Sequence, residues 1–545
     1  MKRSYEKILF NLIRGMFLCL FIPILGFLIL LPDRIDYVTK TSFRFPNYAL
    51  LLCTLFFILI GMAVVTRLNA YASGIKVSIN IEKIVVWISV ILFILRIYIC
   101  FNIYFYSTQW DVGRIYEVAK AFALGDIAAA RNGSMYFSVY PNNILITLVL
   151  SWVLRFHYAF GVFSASYELM PMIILNSFIN ALAGWMTYRI VSRNLSEIWG
   201  FICFVICMFH IGLSPWTEVV YSDSLGLIFP VLVLWLYNWK SDLQGIRLAK
   251  WAMIVFFSCV GYMIKPTCLI LLIAIILIEA LCRIEKNWKK GLIFSLAIIF
   301  LSAGTMYLTQ QVVKTIAADK GMILNEDAEF QMPHFLMMGL SDNTDGVYDD
   351  SDVEFSAQIE SVKERNKLNL KIAEQRIRDY GFIGLGKHIT KKMLVVFNDG
   401  SFAWGKEGGF YNHVSEEPNR KAAPFLRQII YDDGIYHGYF LIWFQFIWIF
   451  VLFMNLFGCG WLKSPDSNNA KSQYHLKDDR DESRWIAVVQ LTLIGLVMYE
   501  ILFEARARYL YIYAPFFYIM ATAGMRKLYF WYRNRYTLYR RTSEK

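Results

Sequence analysis

Charge is what this 545-residue chain has least of. Asp, Glu, Lys and Arg together make up 18% of it, where a soluble domain carries about 25%. Hydrophobic residues make up 57%, and mean hydropathy is +0.45. That balance, with long uncharged runs, excludes an ordinary soluble globule and reads as a polytopic membrane protein. Cysteine is sparse too: there are nine, no CxxC pair, and none between Thr309 and Tyr436. This excludes a disulfide framework in the longest polar stretch. Cys203 and Cys207 are four apart on one helix face without the paired His or Cys ligands a zinc site needs, which points to packing rather than zinc. There is no Walker lysine motif, GxGxxG after a strand, GxSxG or HExxH, so ATP hydrolysis within the chain is not expected. No repeat of 20–50 residues and no duplicated halves of the transporter kind are present.

The apolar runs that are present set a topology. Spans are expected near 8–31, 47–66, 83–105, 168–189, 197–213, 222–239, 251–264, 267–282, 291–308, 437–458, 485–503 and 509–526. The first follows a short basic lead but is too long, and lacks a small-residue cleavage site, to be a removed signal peptide. The segment 143–163 carries Arg155 and His157 in its second half, which a crossing helix tolerates poorly. It is therefore read as a re-entrant or interfacial helix pair.

The formal charge is +12, unevenly placed. Thr309–Tyr436 holds 15 Lys and Arg against 20 Asp and Glu, a net of −5, so the remainder carries +17. The excess lies at Arg189, Arg193, Lys240, Arg247, Lys250, Arg283, Lys286, Lys289, Lys290 and the tail from Arg526. Spread over loops between spans, it marks the cytoplasmic side and does not form the patch that nucleic acid would need. The domains read as N-terminal spans (1–82), a core (83–308) with a first outer loop (106–142), an extracytoplasmic domain (309–436), C-terminal spans (437–526) and a basic tail (527–545). The charged stretch 463–484 reads as a mobile cytoplasmic loop.

With 143–163 not crossing, one face collects Asp111 with Arg114 and Glu117, Tyr140-Pro141-Asn142, Pro215 to Ser224 with Glu218 and Asp223, Lys265, the segment 309–436, and Glu504-Ala505-Arg506-Ala507-Arg508-Tyr509. Asp111 stands just beyond a span. It is either the cap of the next helix or a functional carboxylate at the membrane face. Lys265, between two short spans, either snorkels or meets a lipid headgroup. Arg506 and Arg508 run against the positive-inside bias, so an anionic partner is expected for them: a neighbouring carboxylate or a lipid phosphate. Trp404, Phe410 and Tyr411, beside Gly405, Gly408 and Gly409, suit either a sugar-stacking loop or an interfacial anchor. His334, His388, His413 and His437 lack the tight spacing of metal ligands.

The order of these motifs resembles the GT-C superfamily of integral-membrane glycosyltransferases. It is most similar to the bacterial branch related to protein O-mannosyltransferases and lipid A aminoarabinose transferases. The signals are Asp111 after a span, the Tyr140-Pro141 turn, Tyr221-Ser222-Asp223 at a helix end, and Glu504-x-Arg506-x-Arg508-Tyr509. The stretches Met332 to Leu340, Asp345-Gly346-Val347-Tyr348 and Phe397-Asn398-Asp399-Gly400 are similar to Gram-positive members. The chain departs where that family often has an acidic pair: Gln109-Trp110 precedes Asp111, and Val112 follows it.

The resemblance, over roughly 83–526, implies an all-α GT-C-like bundle of about 12 transmembrane helices with a re-entrant helix pair and an extracytoplasmic loop domain. It implies a multi-pass plasma-membrane enzyme whose site faces out, taking a sugar from a polyprenyl-phosphate donor to a cell-envelope acceptor. Transfer would invert the anomeric centre. Asp111 would be the base, Arg506, Arg508 and Lys265 would hold the donor phosphate, and Glu218, Asp223 and Glu504 would orient the acceptor or structure the site. Tyr140, Asn142 and Trp404 are candidates for sugar contact. No cofactor is expected and metal-independence is favoured, with a divalent cation at the acidic residues left open. The alternatives are a transporter or flippase of lipid-linked sugars, which needs no base, and an envelope scaffold.

Overall fold

The computed structural model describes residues 2–31, 45–72, 80–103, 110–161, 169–241, 243–284, 287–404, 423–431, 434–459 and 479–543. Among these no strand occurs. The helices run α1 (Lys2–Leu30), α2 (Asn47–Ala72), α3 (Ile81–Ile103), α4 (Trp110–Leu124), α5 (Ile127–Asn132), α6 (Ser134–Val139) and α7 (Asn143–Ala159). Next come α8 (Met170–Asn194), α9 (Glu197–Phe209), α10 (Ser222–Gly226), α11 (Ile228–Tyr237), α12 (Gln244–Ile264), α13 (Leu269–Ile284) and α14 (Trp288–Asp319). Last are α15 (Met332–Gly339), α16 (Asp350–Ala357), α17 (Val362–Phe397), α18 (Ala423–Ile430), α19 (His437–Gly458), α20 (Asp479–Leu502) and α21 (Ala514–Ser543).

Local chemistry places several of these ends. Ser196 caps α9 through the Trp199 amide, and Asn287 caps α14 through the amides of Lys289 and Lys290, as short polar side chains do for orphan helix donors. Lys265 is extended (φ −151°, ψ 121°) because Pro266 follows it. A proline disfavours helical backbone at the residue before it, so α12 stops there and Lys265 stands in the break.

Eight described helices are long and apolar enough to cross a membrane. They cover the spans expected near 8–31, 83–105, 168–189, 251–264, 267–282, 291–308, 437–458 and 485–503. The spans expected at 197–213 and 222–239 are shorter apolar helices, as is the described apolar part of α2, Asn47–Ala63. The last expected span lies on a 3-10 turn, Ala507–Tyr513, and on α21. One continuous apolar core joins these elements. α21 runs through the expected boundary at 526. Of the stretch 463–484, only 479–484 lies in the described residues, and it belongs to α20.

Contacts between helix ends sort them into two sets. At one end, Arg484 of α20 meets Glu6 of α1 (3.2 Å) and Glu279 of α13 (3.7 Å), and Arg189 of α8 meets Glu82 of α3 (2.6 Å). Asn194 bonds Asn238 there, Lys250 bonds the carbonyls of Tyr237 and Trp239, and Lys527 bonds that of Gly458. This end carries the basic clusters.

At the other end, Asn47 donates to Leu28 and to Asn398, and Gln445 donates to Asn47. The motif Phe397 to Gly400 works as a junction here: Gly400 donates to Gln445 and accepts from His210. Gly400 has no room for a side chain, since a Cβ would lie 2.5 Å from the Phe444 carbonyl oxygen.

The segment 143–163 corrects one expectation. It holds a single 17-residue helix, α7, rather than a helix pair. Named contacts hold both halves of α7. Asn143 donates to Tyr136 (2.6 Å), and burial, with the charge of Arg155 adding to it, holds the Lys320 ammonium below its ordinary value. Lys320 also bonds the Phe122 carbonyl at the close of α4, which packs along α7.

Candidate functional site

Asp111 enters on the first turn of α4, directly after Trp110, whose φ is +56°. A bulky residue in the left-handed region is strained, and this one sets the direction of the helix that carries Asp111. The Tyr221 hydroxyl donates to Asp111 Oδ2 at 2.8 Å. Tyr221 is itself fixed, because its amide bonds the Ser224 hydroxyl and its carbonyl accepts from Leu225 at the start of α10. Two more phenols face the same carboxylate from the helix–turn region 134–140. Burial holds the Tyr136 hydroxyl far above its ordinary value, and the neighbouring Tyr221 and Asp111 push it further. Burial likewise raises Tyr140, with Asp111, Tyr348 and Glu504 adding to the effect. Tyr348 is pushed up to about 12 by burial, Asp350, Glu504 and Asp111. All three therefore stay protonated, as hydrogen-bond donors.

Two residues past Tyr221, the buried Asp223 carboxylate lies between two cations. One oxygen takes the Lys265 ammonium, and the other takes Arg508 Nη1 at 2.9 Å. Lys265 Nζ sits 4.0 Å from the centre of the Tyr509 ring, and the Arg508 guanidinium stacks 5.4 Å from Tyr221 and 5.2 Å from Tyr509. Tyr221 thus touches both the Asp111 carboxylate and the Arg508 cation.

The stretch after α20 supplies the third part. Glu504 and Arg506 pair at 2.9 Å, and the Arg506 amide bonds Glu500. The backbone here is clamped. Ala505 donates to the Gly346 carbonyl at 2.9 Å, and a Cβ on Gly339 would come within 2.5 Å of Phe503. The buried Lys392 ammonium donates to the carbonyls of Gly339, Ile501 and Phe503.

The cluster therefore brings together Asp111, Tyr140, Asp223, Lys265, Glu504, Arg506 and Arg508. Asn142 stands one contact away, bonded to Asn143, which bonds Tyr136. Arg114 and Glu117 form an exposed pair of their own. Glu218 turns from the cluster toward α3, where it meets Cys100 and Arg96, and burial pushes its carboxyl up to about 8. Trp404 corrects the sugar-stacking expectation. It is fully buried, packed edge-to-face on Trp216, with its indole N–H on the Ile430 carbonyl, so it offers no open face. Phe410, Tyr411, Gly405, Gly408, Gly409, His413, Gln109 and Lys286 lie outside the described residues. His334, His388 and His437 are buried packing residues bonded to Ser356, Gly339 and Ile429. Among the described residues, no three His, Cys, Asp or Glu side chains converge on a metal position.

Sequence reasoning missed Tyr136 and Lys392 as members, and it grouped Tyr509 without giving it a role. Tyr136 was within reach, since it is one helical turn before Tyr140. Nothing in the sequence around Lys392 sets it apart from Lys391, which pairs with Asp345.

A family model described as a conserved hypothetical integral membrane protein matches residues 5–528 of the chain. No curated protein and no solved structure matches it.

Proposed function

The chain belongs to the family of conserved hypothetical integral membrane proteins, and on that premise we propose that it is a membrane glycosyltransferase acting on a polyprenyl-phosphate sugar. The observation that carries this reading is the shared phenol. Tyr221 holds a carboxylate, Asp111, on one side and a phosphate-matching guanidinium, Arg508, on the other. A hydroxyl acceptor needs a base as it attacks, and a positioned carboxylate supplies one. The acceptor oxygen bonds to the anomeric carbon, its proton passes to Asp111, and the anomeric carbon–oxygen bond breaks with its electron pair going to the lipid phosphate. Fixed cations at the departing oxygen favour the transition state most. Arg508 and Lys265 stand ready on Asp223, and Arg506 on Glu504. Base and phosphate on opposite sides of the sugar give inversion. The acceptor is a hydroxyl of a cell-envelope molecule, and no metal is required.

On this reading about 12 helices cross the plasma membrane: the eight long ones, the shorter apolar helices other than α7, and α21 with the turn before it. α7 lies at the interface. The basic helix ends face the cytoplasm by the positive-inside bias, and the cluster faces out. Single cysteines in a variant lacking the exposed Cys19 and Cys53 test the orientation. Glu360→Cys should react with an impermeant thiol reagent on intact cells, and Lys289→Cys only after permeabilisation. Outside labelling of Lys289→Cys overturns the arrangement. The activity test is sugar transfer, or release of the sugar to water, by purified protein given a polyprenyl-phosphate sugar. Movement of the lipid across vesicles without cleavage would identify a flippase instead.

A further inference from the structure

Arg96 is a costly residue to bury. It lies on α3, inside a segment apolar enough to cross a membrane, and is 4% exposed. An ionisable group at such a place is rare unless it is paired or functional. Its Nε donates to the Gly212 carbonyl and its Nη1 to that of Ser177 at 3.3 Å, while Nη2 has no partner. Gly212 leaves the space, because a Cβ there would lie 2.9 Å from Nη2.

Three further buried groups around it are also unmatched. Asn176 donates to the Thr217 carbonyl, yet its Oδ1 has no partner, and neither has the Ser177 hydroxyl. Glu218 meets Cys100, one turn along α3 from Arg96, and feels the Arg96 charge, but its Oε2 is unpartnered. Each of these residues is 5% exposed or less. Buried polar groups without partners are few in native proteins, and each calls for a ligand, a water or strain.

We infer that Arg96, Asn176, Ser177 and Glu218 form an internal site for water within the bundle. The chemistry selects the occupant. The guanidinium disfavours a cation, and the unpartnered Asn176 Oδ1, which can only accept, disfavours an anion. The site offers N–H and O–H donors as well as carbonyl and carboxyl acceptors, so it takes a small neutral molecule able both to donate and to accept. Water with two to four such partners is an ordinary part of a protein interior. The site ties α3 and α8 to the segment 211–218, which leads into Tyr221 and Asp223. It does not depend on the glycosyltransferase reading.

Hydroxyl-radical footprinting of the full chain in lipid nanodiscs tests this, since radicals made from bound water oxidise the nearest thiol. Cys100 is buried beside the site, whereas Cys203 and Cys259 are at least as buried but meet the Thr522 hydroxyl and the Ser302 carbonyl, and no residue of the site. Cys100 should oxidise faster than Cys203 and Cys259. Its labelling should drop in Ser177→Ala, which removes one partner without unpairing a charge. In the double variant Arg96→Met with Glu218→Met it should fall to the level of Cys203, with Cys203 and Cys259 still protected as evidence of an intact fold. Cys100 labelling no faster than that of Cys203 in the native chain, or unchanged in Ser177→Ala, overturns the inference.

Discussion

The hydroxyl of Tyr221 donates to the carboxylate of Asp111 at 2.8 Å, joining residues 110 positions apart. The same phenol lies under the Arg508 guanidinium. Tyr221→Phe keeps the ring and its stacking but removes the hydrogen bond. A bond to a charged group contributes about 1.5–3 kcal/mol, so transfer should drop by about 10- to 150-fold. Binding of the polyprenyl-phosphate sugar should hold near the native level, because the cation face is intact. Equal losses in binding and turnover would place Tyr221 in the donor site instead.

Asp223 is the hub of the cations. Its carboxylate is 2% exposed and serves Lys265 and Arg508 together. Breaking a buried ion pair by removing one partner costs about 3–5 kcal/mol, because the remaining charge is left uncompensated. Asp223→Ala should therefore lower the unfolding temperature markedly in nanodiscs, and adding Lys265→Met should recover part of the loss. Simple additivity of the two changes would show that they are not coupled.

Gly339 tests the backbone clamp. A methyl at this position would press on the Phe503 carbonyl and the Glu504 amide. Overpacking of a tight site typically costs about 1–3 kcal/mol. Gly339→Ala should fold with modestly reduced stability but displace the Glu504–Arg508 segment, raising the Kd for the donor. Unchanged donor affinity would remove that segment from the phosphate site.

The membrane class, most of the spans and the grouping of Asp111, Lys265, Asp223 and the two arginines were legible in the sequence. Hydropathy and loop charge act over whole segments, so they survive without knowledge of packing. Glu218 was misgrouped because its neighbours in sequence, Tyr221 and Asp223, do face the cluster. The tight turn at 215–221 points its side chain to α3 instead. Trp404 was ambiguous for a similar reason: an aromatic beside glycines suits a surface loop, yet here the ring fills the core against Trp216. Lys392 could not be read at all, since its carbonyl partners come from residues 53 to 111 positions away.

Acid should weaken the segment around α15 through His334. Its ring is fully buried and packed at a tilt against Phe330, and burial lowers its pKa from 6.5 to about 4. Between these values the unfolded chain binds a proton that the folded chain does not, so stability falls as pH drops from 6.5 toward 4. The loss is at most about 3 kcal/mol. His334→Asn, which can keep the bond to Ser356, should flatten the unfolding temperature across that window. An unchanged slope would assign the acid sensitivity to other groups.

Replacing Asp111 by Asn is the most direct measurement of the central claim. Asn keeps the size of the side chain and still accepts from Tyr221, but it cannot take a proton. With Asp111 as the base, transfer from a polyprenyl-phosphate sugar should fall by about 100- to 10,000-fold, while donor binding and the unfolding temperature stay near native values. An Asp111→Asn protein that binds the donor and transfers sugar at close to the native rate would contradict the account, leaving Asp111 the role of a helix cap.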